Sequence, residues 1–151
     1  MIDIKNINKW DKRFLELAKT ISGWSKDPST KVGAVITNTK NRIISLGFNG
    51  YPRGVQDIGL ENREEKYAKV IHAELNSILF SKQDLCGCTL YVYPLIPCSA
   101  CMGCIIQVGI SKVVVLIDGD KTMIERWLKS NEIALNMAEQ AKVGVMVYTL
   151  S

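Results

Sequence analysis

"TLYVYPLIPCSACMGCIIQVGISKVVVLI" (residues 89–117) holds two β-branched runs on either side of a segment with a different period. "TLYVYPL" reads as a strand, and "SKVVVLI" reads as a buried one because it is apolar without alternation. Between them, "CSACMGCIIQVGI" carries its apolar residues at helical spacing and ends near Gly109, a residue suited to a helix C-cap. Strand, helix and strand in direct succession belong to a layered α/β architecture.

The flanks extend the alternation. "INKWDKRFLELAKTISGWS" sets Trp10, Phe14, Leu17, Ala18 and Ile21 at roughly helical spacing, and Pro28 then breaks the pattern. "KVGAVITN" and "RIISLGFNG" form a hairpin around a polar turn at residues 39–42. Tyr51 to Leu60 is loop, punctuated by glycine and proline. From Glu61 to about Ser81 the pattern is helical, or loop and then helix. "TMIERWLKSNEIALNMAEQA" predicts one long helix and "KVGVMVYTL" a last strand. The order α-β-β-α-β-α-β-α-β predicts a three-layer α/β domain with a mixed five-stranded sheet, spanning residues 1–151 as one unit.

Bulk composition narrows the function classes. Nineteen basic residues against fifteen acidic give a net charge of +4, too weak to argue for nucleic acid yet compatible with an anionic small molecule. "MIDIKNINKW" has charges where a signal peptide needs an apolar core, and "VVVLI" and "VGVMV" are too short to span a bilayer. Five cysteines without an export signal predict reduced thiols, a cytoplasmic location and no membrane partner.

The five cysteines fall into two groups, 86/88 and 98/101/104, spaced two or three residues apart, which suits metal binding better than disulfides. Cys98 and Cys101 fall in the first turn of the predicted helix, where both thiols can share one face and the helix N-terminus favours thiolate. The single histidine, His72, supplies a third ligand. Three protein ligands leave one position open, the mark of a catalytic rather than a structural zinc. Cys104, at C-x-x-C spacing from Cys101, is the rival fourth ligand of a structural Cys₃His site. Glu74 favours the catalytic reading, because hydrolysis needs a carboxylate to move protons. His72 and Glu74 point to different sides of a regular helix, so both reach one metal only if the helix starts at His72.

His72-Ala73-Glu74 followed by Pro97-Cys98-Ser99-Ala100-Cys101 is similar to the H-x-E and P-C-x-x-C signature of zinc-dependent nucleobase deaminases, where the glutamate is acid/base and not a ligand. "SKDPSTKVGAVI" (25–36), "GFNGYPRG" (47–54), "NREEKYAKVIHAELNSI" (62–78) and "PCSACMGCIIQVGISKVV" (97–114) together resemble deoxycytidylate (dCMP) deaminases of the short bacterial and phage type. The resemblance covers most of residues 10–117. It implies a cytidine-deaminase-like α/β/α fold and hydrolytic deamination of dCMP to dUMP. It also implies one catalytic Zn²⁺ held by His72, Cys98 and Cys101, with Glu74 as the proton carrier.

The same resemblance implies that the Ala73 backbone N–H holds the base and Asn49 contacts sugar or base edge. It makes Phe48, Asn49, Gly50 and Arg53 part of an inter-subunit nucleotide site, where dCTP activates and dTTP inhibits a homo-hexamer, with Mg²⁺ accompanying the effector. Phe48 replaces the tyrosine of the family's "GYNG" loop. A second, structural zinc needs further histidines, and this chain has none; Cys86 and Cys88 read as packed small residues. Lys26, Lys31 and Arg53 are the loop cations available for a 5′-phosphate, and "NREEKY" reads equally as a charged helix face or as part of the pocket. The rivals are a tRNA adenosine deaminase, a free-cytidine deaminase and a non-enzymatic zinc-stabilised binding module.

Overall fold

The computed structural model describes residues 1–150. The chain runs through β1 (Ile2–Asp3), a 3-10 turn at Ile4–Asn6, α1 (Lys9–Ser22), β2 (Gly33–Thr37), β3 (Ile43–Phe48), α2 (Arg63–Lys69) and α3 (Ala73–Ser81). It continues through β4 (Thr89–Tyr93), α4 (Ser99–Gln107), β5 (Lys112–Ile117), α5 (Lys121–Ser130), α6 (Glu132–Gln140) and β6 (Gly144–Thr149). The sheet has six strands in the order β1-β6-β5-β4-β2-β3. β1, β6, β5 and β4 run parallel to one another, while β2 pairs antiparallel with both β4 and β3, so the sheet is mixed as expected.

Three departures from the sequence reading have local causes. The sixth strand, β1, is two residues long, too short to carry a period-two signal. The single long helix expected near the C-terminus is two helices, broken at Asn131, whose side-chain amide donates back to the Trp127 carbonyl at 2.9 Å. The helical stretch after Glu61 divides into α2 and α3, because Ile71 pairs in extended form with Gly50.

Period-two alternation along the central strands builds the layers. Val35, Tyr91, Val114 and Leu116 face α1 and pack with its Phe14, Leu15 and Ala18. Ala34, Ile36, Leu90, Val92, Val113 and Val115 face the other way, onto Ala73, Met102, Ile105, Ala134 and Ala138 of the remaining helices. The α1 side is tied by Asp11, which accepts from Tyr91 Oη at 3.0 Å and Tyr148 Oη at 2.8 Å. No helix among the described residues is long and apolar enough to cross a membrane.

The packing of α3 on β3 fixes where the chemistry sits. A Cβ at Gly47 would lie 2.5 Å from both the Ala73 carbonyl oxygen and the Ser77 amide nitrogen, so no side chain fits between strand and helix. Gly47→Ala should therefore cost about 1–3 kcal/mol and lower the melting temperature. A wild-type melting curve for that variant would show that α3 can lift off β3 without penalty.

Candidate active site and metal centre

The N-termini of α3 and α4 carry the chemistry-bearing residues. Asn8, Asn62 and Asp120 cap α1, α2 and α5 with side-chain oxygens that accept from backbone N–H groups. The cap positions of α3 and α4 are instead His72 and Cys98, neither of which makes a side-chain capping bond. Residues that add nothing as caps hold those places, and their side chains are left for another partner. Local sequence sets both starts: Ile71 is held extended by its bridge to Gly50, and Pro97 disfavours helix at Ile96. His72 thus sits at a helix start, the condition required for it and Glu74 to address one point.

Cys98 Sγ lies 3.5 Å and Cys101 Sγ 3.3 Å from His72 Nδ1. All three ligand atoms fall within 4.8 Å of one another. Tetrahedral zinc, with Zn–S of about 2.3 Å and Zn–N of about 2.0–2.1 Å, separates sulfur from nitrogen by about 3.6 Å. The donor set therefore fits zinc closely, with Nδ1 as the imidazole ligand. Among the described residues Cys104 does not join this group, so the structure offers three ligands here and not four.

Electrostatics agree with a thiolate site. Hydrogen bonds from the Cys101 thiol and from His72 hold the Cys98 thiol down at about 3. The Cys101 thiol is pushed up, first by its hydrogen bond to Cys98 and then by burial. His72 is raised, chiefly by its bond to Cys98. One thiolate shared between two donors is a nucleus of negative charge at a helix N-terminus, where a cation can displace the protons.

Glu74 is 2% exposed, and burial pushes its carboxyl above the ordinary carboxylate range. With Ala73, His72, Cys98, Asn49 and Lys66 it lines a cavity of about 200 Å³. Asn49 is fixed there, its Oδ1 accepting from the Val32 amide and its Nδ2 donating to the Thr30 carbonyl, both at 2.9 Å. Lys26 and Lys31 are not brought to this cavity: Lys26 is exposed and paired with Asp57, and Lys31 Nζ donates to the Ser25 carbonyl.

Phe48, Gly50 and Arg53 line a different hollow of about 840 Å³, together with Trp24, Leu79 and Phe80. Lys66, Trp127 and Asn131 also line this cavity. The sequence reading named none of them individually, although it read the "NREEKY" run that holds Lys66 equally as a charged helix face or as part of the pocket. Lys66 lay in the charged "NREEKY" run, where nothing local distinguishes a buried lysine from a solvated one.

Residues 8–117 match the family described as the cytidine and deoxycytidylate deaminase zinc-binding region. The chain is 49% identical over 140 residues to a protein of Aliivibrio fischeri named an uncharacterized deaminase in the luxG 3′ region, covering 92% of this chain and 93% of that one. It is 42% identical over 118 residues to the deoxycytidylate deaminase of Mus musculus, covering 73% of this chain and spanning 66% of the mouse protein's length. The fold matches the apo crystal structure of the dCMP deaminase from cyanophage S-TIM5 with a TM-score of 0.70 at 24% identity, covering 95% of this chain and 98% of that one. The same phage protein in complex with dCMP and dUMP matches with a TM-score of 0.68.

Proposed function

Because the chain belongs to the cytidine and deoxycytidylate deaminase zinc-binding family, we propose that it hydrolyses dCMP to dUMP and ammonia with one zinc held by His72, Cys98 and Cys101. The observation that carries this reading is the convergence of three metal-binding atoms and a buried carboxylate on one small cavity. When bound, zinc supplies the Lewis acidity that makes a water nucleophilic near neutral pH.

The chain's own residues do the rest. Glu74 takes one proton of the water that adds to C4 and passes it to ring N3. It then takes the remaining hydroxyl proton of the adduct and delivers it to the amine, which leaves as ammonia while the C4 carbonyl forms. The carboxylate is held off water by burial, so the proton it carries is not lost to bulk solvent. The Ala73 backbone N–H, in the first turn of α3, holds the base against the metal face, and the immobile Asn49 sets the edge against which sugar and base are placed. Apolar Val32, Val70, Leu95 and Ile96 exclude excess water from the cavity.

The test is ammonia release by the zinc-loaded protein from dCMP and from deoxycytidine. The nucleotide should be preferred by about 10–100-fold in kcat/KM, the effect of contacts to a charged phosphate. Equal kcat/KM on the two would sink the nucleotide assignment, and action on adenosine in folded RNA would move the chain to another activity.

The proposal extends to regulation through the hollow lined by Phe48, Gly50 and Arg53. There dCTP would favour and dTTP oppose the active arrangement of a homo-hexamer, shifting the apparent affinity for dCMP by about 5–150-fold. Initial rates with each triphosphate, with and without Mg²⁺, and mass by light scattering check this; superimposable curves from a monomer would remove the regulatory part alone.

A further inference from the structure

We propose that Lys66 and the Ser29 hydroxyl form an anion seat in the catalytic cavity, the place that takes the 5′-phosphate of a nucleoside monophosphate. This assignment rests on reading the cavity as the deamination site. Apart from the metal-facing His72, Lys66 is the one cationic side chain lining the cavity among the described residues. It comes from α2, and it is 4% exposed.

A lysine is seldom buried without a role, because its charge must be compensated. Part of the compensation is internal: Lys66 Nζ lies 3.1 Å from Asp27 Oδ1 and 3.2 Å from Ser29 Oγ. An ammonium has three donors, and these two contacts leave one N–H for a ligand. Ser29 Oγ accepts from Lys66, so its own hydrogen remains to be donated. Both donors line the cavity, beside Thr30.

A purely architectural role explains less. The turn at residues 27–30 is already closed by Asp27 Oδ1, which accepts from the Ser29 amide at 2.8 Å and the Thr30 amide at 3.1 Å. Those N–H groups and Lys66 hold the Asp27 carboxyl below its ordinary range although burial alone would raise it. Asp27 is thus ionised and keeps the lysine in place, while a buried ion pair by itself adds little stability. The Asp27 charge also opposes an incoming phosphate. The neighbouring wall residue Tyr67 accepts at Oη from the exposed Arg63 Nε at 3.0 Å.

The experiment measures binding apart from turnover. Calorimetry on the zinc-loaded full chain compares dUMP with deoxyuridine for wild type, Lys66→Gln, Lys66→Arg and Ser29→Ala. Wild type should bind dUMP more tightly than deoxyuridine. Lys66→Gln should erase that advantage by about 10–100-fold, as expected for loss of a charge-assisted contact. Lys66→Arg should restore a good part of it, and Ser29→Ala should lose a smaller share.

Unchanged dUMP affinity in Lys66→Gln, or an equal fall for dUMP and deoxyuridine, overturns the seat and leaves Lys66 as a brace for the turn. Should Lys66→Gln not fold, Ser29→Ala and Lys66→Arg are read by the same selective loss. No dUMP preference in wild type also overturns it. Selective dUMP binding without ammonia release from dCMP would instead sink the deaminase reading and leave the seat standing.

Discussion

Cys98→Ala and Cys101→Ala should each empty the metal site, whereas Cys104→Ala should keep its zinc and much of its activity. The first two remove a ligand atom from a group whose members lie within 4.8 Å of one another; the third removes a thiol outside that group. Loss of metal carries loss of stability, because a ligand that binds only the folded state adds RT ln(1 + [L]/Kd), about 2.7 kcal/mol at a hundred times Kd. For a chain of 151 residues that corresponds to a fall in melting temperature of about 5–10 °C. Chelator-treated wild type should melt near the two ligand variants, since both states lack the same bound ion. Metal analysis and melting curves read this out with no reference to activity. Zinc lost from Cys104→Ala would return the structural Cys₃His reading to first place.

Much of the fold was legible because its signals are local. Val113 to Ile117 form an unbroken apolar run, and such a run at strand length between two helical segments has few homes other than the middle of a layered sheet. Gly109 was legible as a helix terminator for a steric reason: it takes φ +86° just beyond α4, where a Cβ would be strained. The grouping of His72, Cys98 and Cys101 as candidate metal ligands was legible because both helix starts are written in the sequence. Pro97 announces one, and the other follows from asking where His72 and Glu74 can meet.

The rest depended on contacts that the sequence separates. Asn131 breaks a helix whose apolar pattern runs straight through it, and its signal is one amide turned back onto a carbonyl four residues earlier. β1 exists because β6 offers an open edge, a fact about the far end of the chain. Lys66 is buried by Asp27, thirty-nine residues upstream, so its local neighbours Glu64, Glu65 and Lys69 describe only a charged helix. Lys26 and Lys31 drew attention as loop cations available for a phosphate, yet it is Asp27, Ser29 and Thr30 between them that line the cavity, with Asp27 paired to a lysine from another helix.

Glu74→Gln should lower kcat/KM on dCMP by about 10²–10⁴-fold, the usual contribution of a positioned proton carrier, while zinc, fold and nucleotide binding persist. Glutamine keeps the shape of the side chain and its capacity for hydrogen bonds, and it removes only the ability to accept and return a proton. Stability should hold or rise, since the wild-type carboxyl is 2% exposed and burial already disfavours its charged form. Three readouts separate the possible roles of this residue. Metal content stays at the wild-type level if the carboxylate is no ligand, and falls if it supports the ion. Affinity for dUMP stays if Glu74 works on the proton, and weakens if it merely shapes the cavity. The melting temperature reports whether the N-terminal turn of α3 is intact. Full zinc and full dUMP affinity with wild-type turnover would remove Glu74 from the chemistry, and the proton would then have to travel by a group other than the carboxylate that α3 places in the cavity.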